Sequence, residues 1–210
     1  MEGVVLTERG LVVDLTCCPL SEETEVYPGD PPVEAETYAT YRVDGFYARR
    51  VCFGEHVGTH IDAPAHFVEG GLTVERLPLA SLVAPGVALD VSRGSGEVGP
   101  EELEEALREC GLGPGVLRGS WLILRLGDRW LGEEAARWLR AHGVVGLGVD
   151  SWSPDRDPYP VHRVLLGAGA PILERLRVPG LLLCRGFLLV VAPLPLRGGS
   201  GAPARVYALL

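Results

Sequence analysis

Eleven residues constrain this chain more than any others: His56-Val-Gly-Thr-His60-Ile-Asp62-Ala-Pro-Ala-His66. Three of the five histidines fall there, beside an aspartate. Neutral imidazole and carboxylate are ligands that zinc and similar ions prefer, so the segment offers four potential ligands. A helix cannot gather them. At about 100° per residue, His56 and His60 lie about 40° apart, but Asp62 falls about 240° round from His56. Gly58 and Pro64 also oppose a helix interior. Positions 56, 60, 62 and 66 share parity, so extended chain points them to one side. A straight strand spreads them over about 33 Å, too far for one site. The chain must fold back, and Gly58 and Ala63-Pro64 are where it bends. The segment reads as a turn-rich loop wrapped around a cation. His142 differs: it ends a helix before Gly143, where a histidine suits the helix dipole, and it reads as structural.

Composition narrows the setting. A chain of 210 residues suits a single domain spanning 1–210 and can bury a real core. With 19 basic against 28 acidic residues, the net charge of −9 argues against nucleic acid and anionic membrane as partners. A small-molecule substrate is expected. Lysine, asparagine and glutamine are absent, which fits either heat adaptation or GC-rich codon usage. Five cysteines without framework spacing do not form a secreted disulfide scaffold, and there is no C-x-x-C pair. The acidic start MEGVVLTERG lacks the basic region of a signal peptide. The most apolar stretch, 178–196, is interrupted by Arg185, two glycines and three prolines, and reads as two buried strands. A cytoplasmic protein is expected.

The local patterns predict strands at 11–15, 86–91, 121–126, 144–149, 181–184, 187–191 and 206–209. Runs 34–43 and 46–53 around Asp44-Gly45 predict a hairpin. Helices are predicted at 100–110 and 133–142, each with early acids and a closing glycine, and a third, short one within 171–176. Strands dominate both ends, with β-α-β alternation between. The fold class is therefore mixed α/β: a β-rich domain with a central mixed sheet and a few flanking helices.

The pattern His-x-Gly-Thr-His-x-Asp-x-Pro-x-His resembles the signature of the metal-dependent cyclase-like hydrolases, which include the bacterial kynurenine formamidases of tryptophan catabolism. Tyr27-Pro-Gly-Asp30 is similar to the family's early Trp-Pro-Gly-Asp. Gly148-Val-Asp150-Ser-Trp-Ser153, His162-Arg-Val-Leu165-Leu166, Ile172-Leu-Glu174, Leu194-Pro-Leu196 and Ala202-Pro-Ala-Arg205 resemble later family elements. The resemblance implies a swivelling β/β/α fold, a homodimer or higher homo-oligomer, and two zinc ions per chain, with manganese as the alternative metal. It implies that His56, His60 and Asp62 bind one ion, and that Asp62 and Glu174 bridge to a second held also by His162. His66 is implied as general acid/base. Asp150 and Ser153 are placed behind the ligands, or else as strand-end caps. Tyr27 stands where the family has a tryptophan against the substrate, and this departure leaves the substrate open.

The ligand set defines the expected chemistry. A metal that acidifies water serves hydrolysis of an aryl formamide such as N-formylkynurenine. The alternatives are opening of a cyclic amide or lactone, as in isatin hydrolases, and a non-catalytic metal-binding protein. No G-x-S-x-G elbow is present, which argues against a serine hydrolase.

Overall fold

The computed structural model describes residues 3–7 and 10–210. Met1, Glu2, Glu8 and Arg9, part of the acidic start discussed above, lie outside the described residues.

The chain opens with an antiparallel pair, β1 (Val4–Thr7) and β2 (Gly10–Asp14). A hairpin follows, β3 (Glu34–Ala39) and β4 (Ala48–Cys52). Its strands are joined through one helical turn, α1 (Tyr41–Asp44), which Gly45 closes at φ 79°. The Asp-Gly pair thus ends a helical turn and does not form a two-residue loop. Next come β5 (His60–Asp62), α2 (Leu79–Leu82), β6 (Val83–Asp90), β7 (Glu97–Val98) and α3 (Pro100–Glu109). The centre is β8 (Trp121–Arg125), β9 (Trp130–Leu131), α4 (Glu133–His142) and β10 (Gly146–Val149). The chain ends with α5 (Pro160–Gly167), β11 (Ile172–Glu174), β12 (Gly186–Pro193) and β13 (Gly201–Leu209).

Seven strands close into a barrel-like ring in the order β13-β12-β6-β8-β10-β11-β5, and β5 returns to β13. The long β13 closes it: Gly201–Pro203 pair with β5, while Ala204–Leu209 pair with β12. The β1–β2 pair extends the sheet from β13. β6, β8 and β10 run parallel, and β10, Trp121–Leu124 of β8 and Gly86–Leu89 of β6 are buried on both faces, as helix-covered parallel strands are. Trp121 and Ile123 face one core with Ile61, Leu173 and Val206. Leu122 and Leu124 face a second core against α3, α4 and α5. On β10, Gly148 lies close beneath two side-chain ends: a Cβ there would sit 2.6 Å from the Ile123 Cδ1 and 2.7 Å from that of Leu176, so both would have to shift.

Two expectations are corrected. Residues 171–176 hold strand β11, not a helix. A proline at 171 suits extended chain as well as a helix start, and pairing on both edges, with β10 and β5, decides for the strand. The third long helix is α5, with Pro160 in its first turn. Residues 181–184 form no sheet strand; Gly180–Leu182 make a 3-10 turn. Cys110 and Cys184 form a disulfide, with Cα atoms 4.9 Å apart. This single bridge was not visible from cysteine spacing, because its partners lie 74 residues apart.

Arg129 is the main buried cation of the helical side. It donates to the carbonyls of Val91, Arg93 and Glu97 and to the Glu102 carboxylate. Replacing it leaves buried carbonyls unpaired. Arg129→Met is expected to cost about 3 kcal/mol. Urea unfolding tests this, and an unshifted midpoint would contradict it.

Candidate metal centre

The histidine segment does fold back, but it is more ordered than a loop. Gly58 turns the chain at φ 61°, and a side chain there would strike Leu20. His60–Asp62 then form β5, and Pro64–His66 a 3-10 turn. Strand alternation sends Ile61 into the barrel and leaves His60 and Asp62 on the other face. On the neighbouring strand, Leu173 likewise points inward, and Glu174 pairs with His60. Helix α5 packs beside β11 and supplies His162.

The side chains converge. His60 Nε2 lies 3.3 Å from Asp62 Oδ1 and 3.4 Å from Glu174 Oε2. His162 Nε2 lies 3.2 Å from Glu174 Oε1 and 3.6 Å from Asp62 Oδ2. His56 Nδ1 lies 2.7 Å from Asp62 Oδ1. His66 stacks on His56 with ring centroids 4.0 Å apart. Among the described residues, two groups emerge whose potential ligand atoms lie within 4.8 Å of one another: His60–Asp62–Glu174 and His56–Asp62–His66. Asp62 belongs to both.

The donor set fits a divalent cation. Asp62 Oδ2 and Glu174 Oε1 are buried and receive no hydrogen bond. Such atoms are costly unless something else satisfies them. Two buried carboxylates also need positive charge between them. Burial and the nearby Asp62 raise the Glu174 carboxyl. Burial also disfavours charge on Asp62, but His60 and His162 hold it well below the usual range. Burial opposes protonation of His60 and His162, yet the carboxylates push them up to about 9 and about 12. Metal ions meet the same demand through the imidazole and carboxylate lone pairs.

The far sides of the imidazoles are also held. His60 Nδ1 donates to the Gly58 carbonyl at 2.9 Å. His162 Nδ1 is 2.7 Å from Asp155 Oδ1. Asp155 also accepts from the amides of Val161 and His162, so it caps α5 and orients the ring at once. His56 Nε2 is 2.9 Å from the Ser200 hydroxyl, which donates to Glu55. His66 faces solvent at the cavity rim. Packing on its other sides, with His56, His162 and His60 nearby, lowers it to about 4, so it is neutral at pH 7.

Asp150 does not stand behind the ligands. Its Oδ1 accepts the Leu126 amide at 2.7 Å, tying together the ends of β10 and β8. Ser153 donates to Asp155 at 3.3 Å and lines the cavity. His142 donates to the Trp138 carbonyl at the C-terminal end of α4. Asp155, Ser200 and Glu55 escaped sequence reasoning. The only available signal for Asp155 was an acid placed shortly before Pro160-Val-His162.

The imidazoles open into a cavity of about 220 Å³. Tyr27, Phe67, Trp152 and Tyr159 wall it, and Asp30 and Ser153 add polar atoms. The Tyr27 and Tyr159 hydroxyls are 3.4 Å apart, and Tyr27 meets Trp152 edge-on. Phe67 stacks on His162.

A buried imidazole–carboxylate centre at the floor of an aromatic cavity is of the class that can hold a metal ion beside a bound small molecule. Comparison with known proteins carries this further. The profile of the family described as "Putative cyclase" matches residues 13–156. The kynurenine formamidase of Bacillus cytotoxicus is 32% identical over 89% of this chain and 92% of its own. The isatin hydrolase of Roseibium aggregatum is 29% identical over 86% of this chain and 82% of its own. Among solved structures, isatin hydrolase A from Labrenzia aggregata, bound to benzyl benzoate, superposes with a TM-score of 0.83 at 28% identity. That match covers 95% of this chain and 93% of the other. The chain belongs to the cyclase family of metal-dependent hydrolases.

Proposed function

We propose that the protein hydrolyses an aryl formamide, of the type of N-formylkynurenine, to the arylamine and formate. The observation that carries this is the joining of the imidazole–carboxylate centre to a small cavity walled by four aromatic rings. Such walls suit a flat aryl group. We assign His56, His60 and Asp62 to one zinc ion, and Asp62, Glu174 and His162 to a second. Zinc bound there would acidify water and polarise the substrate carbonyl. His66, neutral and at the cavity rim, takes a proton from the attacking water and returns it to the departing amine. Asp155 and Ser200 hold His162 and His56 in the orientation the carboxylates require. Tyr27, Phe67, Trp152 and Tyr159 orient the ring and exclude water.

A second reading is ring opening of a cyclic amide or lactone. It is favoured by the similarity to isatin hydrolases, which nearly equals that to the formamidases. A panel of aryl formamides, isatins and lactones, assayed with the metal-loaded protein, separates the two. Turnover of aryl formamides above the cyclic substrates is expected. Chelation should abolish it, and an inert panel would leave a metal-binding protein.

Tyr27 is proposed to touch substrate and no metal. Tyr27→Ala is expected to raise KM about tenfold, the loss of one aromatic contact. Tyr27→Trp should shift preference toward larger aryl formamides. Metal content should stay constant in both, and kinetics identical to those of the wild type would contradict the assignment.

We also propose a homodimer. The hairpin leaves Tyr38, Tyr41, Val43, Phe46, Tyr47 and Val51 exposed, an apolar patch of the kind that subunits cover. Light scattering is expected to give twice the chain mass, and Phe46→Glu with Tyr41→Glu is expected to halve it. A wild-type monomer would refute this.

A further inference from the structure

Cys17 and Cys18 have no part in the proposed reaction. Both are half-buried, and their sulfurs lie 3.0 Å apart. They follow β2, where the chain is stitched to the segment after Glu174. The Leu15 carbonyl accepts from the Arg177 amide at 2.8 Å. The Cys17 amide donates to Thr59 Oγ1 at 2.8 Å, and that hydroxyl donates to the Arg175 carbonyl at 2.6 Å. Thr59 precedes His60, and Arg175 follows Glu174. The Cys17 main chain is therefore bonded into the backbone that carries two residues of the metal centre. The Arg175 guanidinium lies 3.5 Å over the ring of Trp152, a wall of the cavity.

The two thiols are not equivalent. Burial raises the Cys17 thiol, but its hydrogen bond with Cys18 and the charge of Arg175 outweigh this and lower it. Cys18 is pushed up to about 11 by burial and by that same hydrogen bond. Cys17 is the better nucleophile, and Cys18 holds the proton.

We propose that Cys17 and Cys18 form a reversible dithiol–disulfide site whose closure weakens the adjoining metal centre. The oxidant is a hydroperoxide. The Cys17 thiolate attacks the peroxide; an S–O bond forms, the O–O bond breaks, and hydroxide or alkoxide leaves and is protonated. Cys18 then attacks the sulfenic sulfur as its thiol proton departs. The S–S bond forms, the S–O bond breaks and water leaves. Two thiols and one hydroperoxide thus give one disulfide, water and the reduced peroxide. Adjacent Cα atoms are about 3.8 Å apart across a trans peptide, below the ~4.4–6.8 Å of ordinary disulfides. The closed bond is strained and readily reduced again. The Cys110–Cys184 pair, at 4.9 Å, lies inside the ordinary range. Closure must twist the Cys17–Cys18 peptide, and we infer that the torsions of Cys17 change with it and strain the bond from its amide to Thr59.

The coupling half of this proposal rests on the metal-site reading above; the dithiol half does not. The test treats the intact, reduced protein with a small excess of hydrogen peroxide and caps free thiols with iodoacetamide. Tryptic peptide 10–42 has Cys17 and Cys18 as its only cysteines. It is expected uncapped, two hydrogens lighter, and restored by dithiothreitol. Zinc affinity, read by competition with a chromophoric chelator, is expected to fall about tenfold on oxidation, as when a partner behind a ligand is lost. It should recover on reduction. Cys17→Ser and Cys18→Ser should keep the affinity of the reduced protein throughout. A peptide capped at both thiols, or oxidised only to sulfinic acid, overturns the dithiol site. A disulfide that leaves zinc affinity unchanged overturns the coupling. A chain that binds no zinc even when reduced overturns the metal-site reading and the coupling with it, while the mass result still judges the dithiol.

Discussion

Asp62→Asn is expected to bind no stoichiometric metal and to lose hydrolytic activity by about 10³-fold or more, while remaining folded. The magnitude follows from removing several kcal/mol of metal-supplied charge stabilisation. Asp62 is the one residue common to both ligand groups, is 1% exposed, and keeps an oxygen free of hydrogen bonds. Asparagine preserves its shape and an acceptor for His56. It removes the negative charge that balances cations, and it places an amide where lone pairs are needed. The fold should survive because β5 is held by pairing with β11 and β13, and by Ile61 in the barrel core. The checks are metal analysis, turnover, and thermal melting against metal-free wild type. Full metal occupancy with normal turnover would falsify the assignment.

His66→Ala is expected to keep its metal and lose rate, and to lose it selectively. His66 sits at the rim, more exposed than His56 and His60. An amine departs only when protonated, whereas an activated phenol departs without help. The loss should be on the order of 10²–10⁴-fold for an aryl formamide and much smaller for an activated aryl ester. His56→Ala and His60→Ala should instead lose metal and activity together on both substrates. His66 also lies within reach of the second ligand group, so metal content decides between roles. Equal losses on amide and ester, with metal missing, would make His66 a ligand.

The sequence carried its most reliable information where the pattern is local. Helices α3 and α4 were legible from acids in the first turn and a glycine just past the end, because capping chemistry acts within a few residues. The His56–His66 segment announced itself because four potential ligands at shared parity, with Gly58 and Pro64 between them, admit few conformations. Failure came where locally ambiguous segments met distant partners. Ile172-Leu-Glu174 is too short to distinguish strand from helix, and its pairing with β10 and β5 decides. For Asp150 the family resemblance suggested a place behind the ligands, with a strand-end cap as the alternative; its carboxylate accepts the Leu126 amide, which is the cap.

By itself, then, the amino-acid order determined the class of chemistry, the mixed α/β character and the fold-back of the histidine segment. Residue types and short-range backbone preferences suffice for these. The family resemblance named Glu174 and His162, but only tertiary structure decided how distant groups meet and which others support them. Glu174 reaches His60 through strand register, Asp155 holds His162 from a loop, and Ser200 meets His56 across 144 residues. It likewise brought Tyr27, Phe67, Trp152 and Tyr159 around one cavity, and Cys110 to Cys184. Such contacts are set by ring closure of the sheet and by packing of α5 against it, which no window of neighbouring residues contains.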